Sequence, residues 1–282
     1  MQAKKKMSVN DIIGMKRTEK ISVLTAYDYS TSIICDRAGV DMLLVGDSAG
    51  MVVLGYPSTV HIGMIEMLMF CSAVARGAKR AMIIGDMPFG SYQPDTGTAI
   101  QNAVQLIKAG CDAVKLEGGI EIIGTIKAIV DVGIPVMGHI GLKPQTASLW
   151  EGYRLQGRTK ESAMKLMKDA QALEKAGVFS IVLEMVASEV SDVITRFVSV
   201  PTIGIGSGAG CDGQVLVLHD MIGLYDDIKP KFVKRYAELS KLIFNAVASY
   251  TNDIKSGKFP EDSNIFHMSP EELKKFEKAN RE

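Results

Sequence analysis

The sequence predicts an α/β fold, a closed (β/α)₈ barrel, from three observations. Eight short apolar runs recur along the chain, and each has the length of a strand that is buried on both faces, as parallel strands usually are. Amphipathic stretches with helical spacing lie between most of these runs, which is the alternation typical of a parallel barrel. The chain has 282 residues, enough for one such barrel of about 250 residues. A doubly wound open sheet is the alternative, because strand number alone does not prove closure.

The strands and helices follow from the apolar spacing. The predicted strands are residues 21–25, 42–45, 81–85, 113–116, 134–138, 179–183, 202–205 and 215–218. The predicted helices are residues 31–38, 62–76, 96–109, 120–132, 160–176 and 188–197. Glycine directly after an alanine at Ala109-Gly110 and Ala176-Gly177 indicates where two of the helices end.

The C-terminal part continues the helical pattern beyond the last strand. Residues 229–254 form the longest helical pattern and are expected to close the barrel. Ser269 followed by Pro270 indicates a further short helix, with serine as N-cap and proline at the first helical position. We therefore predict a single domain with a C-terminal helical extension. Residues 1–8 are a flexible extension, 9–255 the catalytic barrel and 256–282 a peripheral tail.

Composition excludes several classes of protein. Lys and Arg total 32, as do Asp and Glu, so no net charge attracts nucleic acid or an anionic membrane surface. The N-terminal lysines precede no apolar run of the kind a signal peptide needs, and no stretch approaches 18 uninterrupted apolar residues. The four cysteines have no C-x-x-C spacing and are expected to be reduced thiols in packed elements: Cys35, Cys71, Cys111 and Cys211. We predict a cytoplasmic protein without nucleic-acid or membrane partners.

Acidic residues stand at the C-terminal ends of three successive strands. Asp47, Asp86 and Glu117 each follow or end an apolar run, and this end of a barrel is where active sites are built. Carboxylates buried beside apolar strands require a compensating cation or a hydrogen-bond network. Oxygen ligands favour Mg²⁺, whereas zinc is a poorer match because His139 is the one nitrogen ligand expected there. Each aspartate taken singly is also explained by a turn or a helix N-cap.

Three further polar residues occupy strand ends. Lys115 and Glu117 are two positions apart on one strand and so face the same side. Lys115 is either a structural ion-pair partner, a group that holds a substrate carboxylate or a Schiff-base lysine. Glu184 ends the sixth strand and is a candidate general base, with a salt bridge as the alternative. His139 ends the fifth strand and either lines the site or is structural.

Glycines cluster after the seventh strand. The segment Gly204-Ile205-Gly206-Ser207-Gly208-Ala209-Gly210 is glycine-rich, as phosphate-binding turns are. No Lys-Ser or Lys-Thr pair follows it, and it falls late in the barrel, so a dinucleotide fingerprint is a poor match. We expect a tight turn at the rim that admits a ligand to the backbone.

An ordered set of motifs from about Val9 to Phe266 resembles the ketopantoate hydroxymethyltransferase family. Each motif is modest alone, but their order is highly specific. The matching stretches are Leu24-Thr25-Ala26-Tyr27-Asp28, Gly46-Asp47-Ser48, Asp86-Met87-Pro88-Phe89, Lys115-Leu116-Glu117-Gly118-Gly119, Gly138-His139-Ile140-Gly141-Leu142, Glu184, Gly204-Ile205-Gly206 and Cys211-Asp212-Gly213-Gln214.

The resemblance implies an activity and a set of roles. Family members transfer a one-carbon unit from 5,10-methylenetetrahydrofolate to 3-methyl-2-oxobutanoate, giving 2-dehydropantoate in pantothenate biosynthesis, and commonly assemble as homodecamers. Asp47, Asp86 and Glu117 would then belong to the Mg²⁺ site. Asp47, Ser48, Asp86 and Lys115 would contact the keto acid, and Glu184 would be the proton acceptor.

The sequence departs from the family at one position, and three other functions compete with the one that the resemblance implies. Phe70 stands where many relatives are expected to have histidine, which puts a helix-surface or interface contact in doubt. A lyase or mutase of the isocitrate lyase and phosphoenolpyruvate mutase type uses similar rim acids with Mg²⁺. A class I aldolase would use Lys115 covalently. A catalytically silent binding barrel is disfavoured by the intact acidic residues at the rim.

Overall fold

The structure is a computed structural model that describes residues 5–150, 152, 154–226 and 230–281. The chain forms two compact units, one ending at Tyr236 and the other beginning at Ala237. The sequence had placed the end of the barrel domain at residue 255, whereas the contacts of the chain assign residues from Ala237 onward to the second unit.

The first unit is a closed parallel barrel, which confirms the predicted fold class. Its eight strands are hydrogen-bonded in sequence order, and β1 also pairs in parallel with β8 to close the sheet. The strands are β1 (Ile21–Thr25), β2 (Met42–Val45), β3 (Met82–Asp86), β4 (Ala113–Glu117), β5 (Val136–Gly141), β6 (Ser180–Glu184), β7 (Thr202–Ile205) and β8 (Gly213–Leu216).

Among the described residues of this unit, six helices lie between the strands close to their predicted bounds, and four short helices were not predicted. The helices of this unit are α1 (Val9–Gly14), α2 (Tyr29–Ala38), α3 (Ala49–Val52), α4 (Met64–Gly77), α5 (Thr96–Lys108), α6 (Ile123–Asp131), α7 (Pro144–Trp150), α8 (Lys160–Ala176), α9 (Ser188–Phe197) and α10 (Leu218–Met221). The predicted bounds of α8 and α9 are confirmed. The α8 helix ends at Gly177, whose φ of 95° is left-handed, as the alanine–glycine pair had indicated.

Alternation along the strands divides the core into two layers. Residues such as Met82, Ile84 and Ala113 pack together inside the barrel. Their neighbours Ile83 and Val114 belong instead to the layer between the strands and the surrounding helices. Because successive strand residues point to opposite faces, a residue two positions beyond an interior one also points inside. This parity decides which polar groups reach the site.

The N-terminal residues that are described contact the barrel, although the sequence had predicted a flexible extension for residues 1–8. Lys6 Nζ lies 2.9 Å from a carboxylate oxygen of Asp112, and the Met7 amide donates to the Arg80 carbonyl oxygen at 2.7 Å. Residues 1–4 lie outside the described part of the chain. Among the residues described, no helix is long and apolar enough to cross a membrane.

The second unit contains two helices, α11 (Leu239–Lys255) and α12 (Pro270–Ala279). The prediction of one helix over residues 229–254 was wrong in its first part, because the described residues 230–238 form turns and irregular structure. Pro230 accepts a turn hydrogen bond from the Val233 amide rather than opening a helix. The predicted N-cap of the last helix is confirmed, since the Ser269 side chain accepts from the Glu272 amide.

Candidate active site

The barrel interior collects the charged residues of strands β3 to β6. Asp86 is two residues beyond Ile84, and Lys115 and Glu117 are two and four beyond Ala113, all of them interior positions. By the same alternation, His139 follows Met137 and Glu184 follows Val182. The sequence prediction that these side chains share one face is therefore confirmed. Asp47 reaches the same cavity from the turn after β2.

Lys115 is the cation at the centre of this cluster. Its Nζ lies 2.9 Å from Asp86 Oδ1 and 3.5 Å from Glu117 Oε1, and the side chain is only 4% exposed. The contact with Asp86 is an ion pair without hydrogen-bond alignment, so Asp86 Oδ1 has no well-aligned donor among the described residues. The other Asp86 oxygen accepts from the Asp47 backbone amide at 3.2 Å. One ammonium thus faces more buried negative charge than it neutralises.

His139 links the cluster to Glu184. Its Nδ1 lies 3.4 Å from Glu117 Oε1, and its Nε2 lies 3.3 Å from Glu184 Oε2. Burial and the neighbouring Lys115 lower the pKa of His139, but Glu117 and Glu184 outweigh them and raise it to about 9. The imidazole therefore lies between two carboxylates, and Lys115 Nζ is also 3.2 Å from its Nδ1. His139 lines the site, as one of the two sequence interpretations expected.

The carboxylates of the cluster differ in how well they are stabilised. Burial, then the charges of Asp86 and Glu117, raise the pKa of Asp47 well above its ordinary value. Burial also raises the pKa of Asp86, although Lys115 opposes it. For Glu117 burial acts upward too, but Lys115 and His139 outweigh it and lower its pKa to about 2. Asp47 and Asp86 are thus the two acids that need further positive charge.

The structure adds two site residues that the sequence reasoning missed, Gln145 and Tyr92. Gln145 Nε2 donates to Asp47 Oδ2 and to the Met87 carbonyl oxygen, both at 2.9 Å. The Gln145 backbone amide donates to Glu117 Oε2 at 3.2 Å, and Gln145 Oε1 accepts from the Tyr92 hydroxyl at 2.8 Å. Gln145 therefore fixes the carboxylates of Asp47 and Glu117 at once. No sequence pattern indicated Gln145, because it lies in the first turn of α7, a helix that the apolar spacing did not predict.

Ser48 and Phe70 belong to a packed wall beside the cluster. The Ser48 hydroxyl lies 2.8 Å from the Tyr27 hydroxyl, and the Tyr27 ring contacts His219 at 5.4 Å between centroids. Phe70 is 6% exposed and packs edge-on against Tyr27, with 6.3 Å between ring centroids. The expectation that Phe70 affects a helix surface or interface was therefore wrong. Its α4 position faces the barrel, because Phe70 and Tyr27 share the core layer.

The cluster opens into a cavity of about 380 Å³ at the C-terminal ends of the strands. Its lining combines the charged groups of the cluster with Asp220 and with apolar residues, among them Met51, Val52, Val217 and Phe232. A cavity of this size with few polar groups at defined places is typical of a small-molecule site.

The glycines of the turn after β7 allow neighbouring residues of the same chain to pack closely. Gly206 has a left-handed φ of 64°, and a Cβ there would lie 2.9 Å from the Phe232 ring. A Cβ at Gly208 would likewise meet Ser188 at 2.8 Å. Contact of this backbone with a ligand stays a prediction.

The donor set fits a hard dication held through few direct ligands. No group of three or more His, Cys, Asp or Glu side chains within the described ranges is arranged to hold a metal. Mg²⁺ commonly takes one or two carboxylates and completes its octahedron with water and substrate oxygens. Asp47 and Asp86 supply two such carboxylates, and the raised pKa of each indicates a shortage of nearby positive charge. Glu117 is instead engaged by Lys115 and His139.

Lys115 is poorly suited to covalent catalysis. Burial lowers its pKa, but the charges of Asp86, Glu117 and Asp47 outweigh this and hold it far above the ordinary lysine value. A Schiff-base lysine must lose its proton to attack a carbonyl carbon. The geometry therefore favours an electrostatic role for Lys115 over the aldolase alternative.

Comparison with known proteins identifies close relatives of the sequence. A family model described as ketopantoate hydroxymethyltransferase matches residues 6–262. The 3-methyl-2-oxobutanoate hydroxymethyltransferase of Nitrosopumilus maritimus is 59% identical over 269 residues, which are 95% of this chain and 96% of the relative. The enzyme of the same name from Desulfotalea psychrophila is 53% identical over 264 residues, covering 93% and 95%.

Solved structures with the same fold are much more distant in sequence. A phosphoenolpyruvate phosphomutase from Streptomyces platensis subsp. rosaceus matches with a TM-score of 0.60 at 13% identity, covering 97% of this chain and 98% of that one. A 2,3-dimethylmalate lyase matches with a TM-score of 0.57 at 13% identity, covering 97% and 99%. These likenesses support the barrel fold alone.

Asp47→Asn and Glu117→Gln are expected to change the free energy of unfolding of the metal-free protein in opposite directions. Because the pKa of Asp47 is raised, its ionised form destabilises the fold at pH values above its ordinary pKa of 3.8. Asp47→Asn should therefore stabilise the protein at pH 8, with a gain that shrinks toward pH 4. The pKa of Glu117 is lowered, so its ionised form stabilises the fold at pH values above its ordinary pKa of 4.5. Glu117→Gln should therefore cost roughly 2–3 kcal/mol at pH 8.

Urea denaturation in EDTA at pH 8 and pH 4 measures both effects. Asp131→Asn is the control, because Asp131 is exposed on α6 and surface changes are usually worth less than about 0.5 kcal/mol. Destabilisation by both site substitutions would contradict the unequal charge compensation described here.

Proposed function

The chain belongs to the ketopantoate hydroxymethyltransferase family, and we propose that it transfers a one-carbon unit from 5,10-methylenetetrahydrofolate to 3-methyl-2-oxobutanoate. It is an enzyme of the transferase class, and the product would be 2-dehydropantoate, for pantothenate biosynthesis. The observation that carries the proposal is that Asp47, Asp86 and Lys115 line one cavity together with Glu184.

The reaction defines what the cavity must accomplish. The bond between C3 of the keto acid and its hydrogen breaks, and a bond forms between C3 and the one-carbon unit. One water molecule supplies the oxygen of the new hydroxyl group, and tetrahydrofolate leaves. Loss of the C3 proton places negative charge on the neighbouring carbonyl oxygen, so the site needs a base near C3 and positive charge near that oxygen.

Bound Mg²⁺ would act as a Lewis acid toward the keto-acid oxygens. Asp47 and Asp86 would hold it, since their carboxylates are the two in the cluster with raised pKa. Gln145 supports this role because it orients Asp47 through the 2.9 Å hydrogen bond to Oδ2. Glu117 would contribute at longer range, through its contacts with Lys115 and His139.

Lys115 and Ser48 would hold the keto acid. The pKa of Lys115 is raised by its carboxylate neighbours, so a permanent positive charge is available to the carboxylate of the substrate. Ser48 lines the same cavity, and its hydroxyl lies against the Tyr27 hydroxyl at 2.8 Å, which fixes its direction. Electrostatic binding by Lys115 leaves the substrate free of covalent attachment.

Glu184 would accept the C3 proton. It ends β6, whereas Asp47 and Asp86 lie at the ends of β2 and β3, so a substrate held by those acids would lie between metal and base. Its side chain is 14% exposed, and one oxygen lies 3.3 Å from His139 Nε2. The imidazole beside it would hold the carboxylate in place.

Homodecamer formation and a cytoplasmic location are part of the same proposal. Supporting self-association, α11 in the second unit has large apolar side chains that are exposed, among them Leu242, Phe244, Val247 and Tyr250. A row of such residues on one helix is typical of a contact surface between protein chains.

Glu184→Gln should slow exchange of the C3 proton by about 10²–10⁴-fold, the usual contribution of a general base. The amide retains the size of the side chain but cannot accept the proton. The measurement is NMR of 3-methyl-2-oxobutanoate in D₂O with Mg²⁺ and without folate. Glu189→Gln is the matched control, because Glu189 is exposed on α9 and should exchange at the wild-type rate.

Two results would overturn this assignment. Near-normal exchange in Glu184→Gln would mean that another group removes the C3 proton, and His139 would be the next candidate. Lost exchange together with lost keto-acid binding would make Glu184 a structural residue instead.

Sedimentation of the full chain should show an assembly much larger than its 30.5 kDa monomer at micromolar concentration. Replacing Phe244 and Val247 together by aspartate should shift the distribution toward smaller species, because the charges would have to be buried in the contact. A wild-type protein that sediments as a monomer would contradict the assembly.

A further inference from the structure

The cavity is larger than a small keto acid requires. Its volume of about 380 Å³ falls in the range of sites that enclose drug-sized ligands. The keto acid is assigned to the part that contains Lys115 and the carboxylates. The cavity is also lined by Met51, Val52, Val217, Phe232 and Asp220, and we call the part formed by these residues the outer chamber. A second ligand with a flat apolar body would fill this chamber.

Asp220 is the acidic group of the outer chamber. Its carboxylate makes no hydrogen bond or ion pair with other residues in the described part of the chain, and it is half-buried. Burial raises its pKa to about 6, although Arg235 attracts the ionised form. A partly desolvated carboxylate without donors is expected to accept hydrogen bonds from a ligand.

The Asp220 position is fixed by the barrel rather than by a mobile side chain. Asp220 lies on α10, which begins at Leu218, two residues after the end of β8 at Leu216. The first amide of that helix, on Leu218, donates to the Thr25 side chain at 3.0 Å, which ties α10 to the end of β1. The hydrogen bond thus fixes Asp220 beside the ends of β8 and β1.

The chemistry of a reduced folate matches this arrangement. The 2-amino-4-oxo edge of its pterin ring presents two adjacent N–H donors, which one carboxylate accepts in a bidentate pair. The flat ring faces suit the apolar walls formed by Met51, Val52, Val217 and Phe232. Lys231 also lines the cavity, and its ammonium suits the negative charge of the glutamyl carboxylates.

We infer that Asp220 binds the pterin edge of the folate donor and so holds the one-carbon unit toward the keto acid. This assignment rests on the proposed function, because it takes the folate as the second substrate of the same cavity. Asp220 is a binding residue here and has no part in removing the C3 proton. Donor binding and proton exchange therefore separate in a variant.

Asp220→Asn should raise the dissociation constant for tetrahydrofolate by about 10- to 100-fold, the loss expected for hydrogen bonds to a charged group. Calorimetry with Mg²⁺ and saturating keto acid measures this constant. C3 proton exchange without folate should stay at the wild-type rate, which also shows that the variant is folded. Asp220→Glu should recover part of the affinity, and Asp131→Asn on α6 should change neither quantity.

A modified ligand tests the contact from the other side. Replacing the 2-amino group of tetrahydrofolate by methyl removes one of the two donors, so binding to the wild type should weaken by about tenfold or more. In Asp220→Asn the same ligand change should have little further effect, because its partner is already lost.

The outcomes separate this inference from the proposed function. Wild-type protein that exchanges no C3 proton with Mg²⁺ present would contradict the proposed function itself. Normal exchange and tight tetrahydrofolate binding in Asp220→Asn would overturn the Asp220 assignment and leave the proposed function standing. The assignment would also be overturned if replacing the 2-amino group weakened binding equally in the wild type and in Asp220→Asn. Asp220 would then not contact that group.

Discussion

The site depends on the ion pairs of one buried ammonium with more carboxylates than it can neutralise. Lys115 faces Asp86 at 2.9 Å and Glu117 at 3.5 Å, and all three side chains are nearly inaccessible to water. Buried charges at such distances persist only when opposite charge and hydrogen bonds compensate them. Glu117 is fully compensated by Lys115 and His139, which lower its pKa, whereas Asp47 and Asp86 are not. This imbalance supports the proposal that the cavity binds a cation.

The barrel holds this imbalance in place through strand parity and a few hydrogen bonds. Alternate residues on β3 and β4 send Asp86, Lys115 and Glu117 inward, where relaxation by rotating toward solvent is blocked. Gln145 then joins the turns after β2 and β4 through its contacts with Asp47 and Glu117. Loss of Gln145 would leave several buried polar atoms unpaired, so its role is to orient the carboxylates rather than to react.

Sequence reasoning could find the residues whose position follows from local periodicity. Asp86, Glu117 and Glu184 each end an apolar run, and parallel strands bring their ends to one rim. Gln145 and Asp220 escaped it, because they lie in loop and short-helix segments whose contacts depend on tertiary packing. The Gln145–Asp47 bond, for example, spans 98 positions in the chain. The helix expected from residue 229 began ten residues later, at Leu239, because apolar spacing extends through Pro230 and cannot show where a chain turns.

Calorimetric titration of Mg²⁺ into the wild type and into Asp86→Asn tests whether the uncompensated pair Asp47 and Asp86 holds a dication. The titration measures binding without requiring turnover. We predict that the wild type binds Mg²⁺, more tightly when 3-methyl-2-oxobutanoate is present, because the keto acid supplies further oxygen ligands. In Asp86→Asn the affinity should fall by at least about tenfold. Equal affinity in the two proteins, or no Mg²⁺ binding by the wild type with saturating keto acid, would contradict the account.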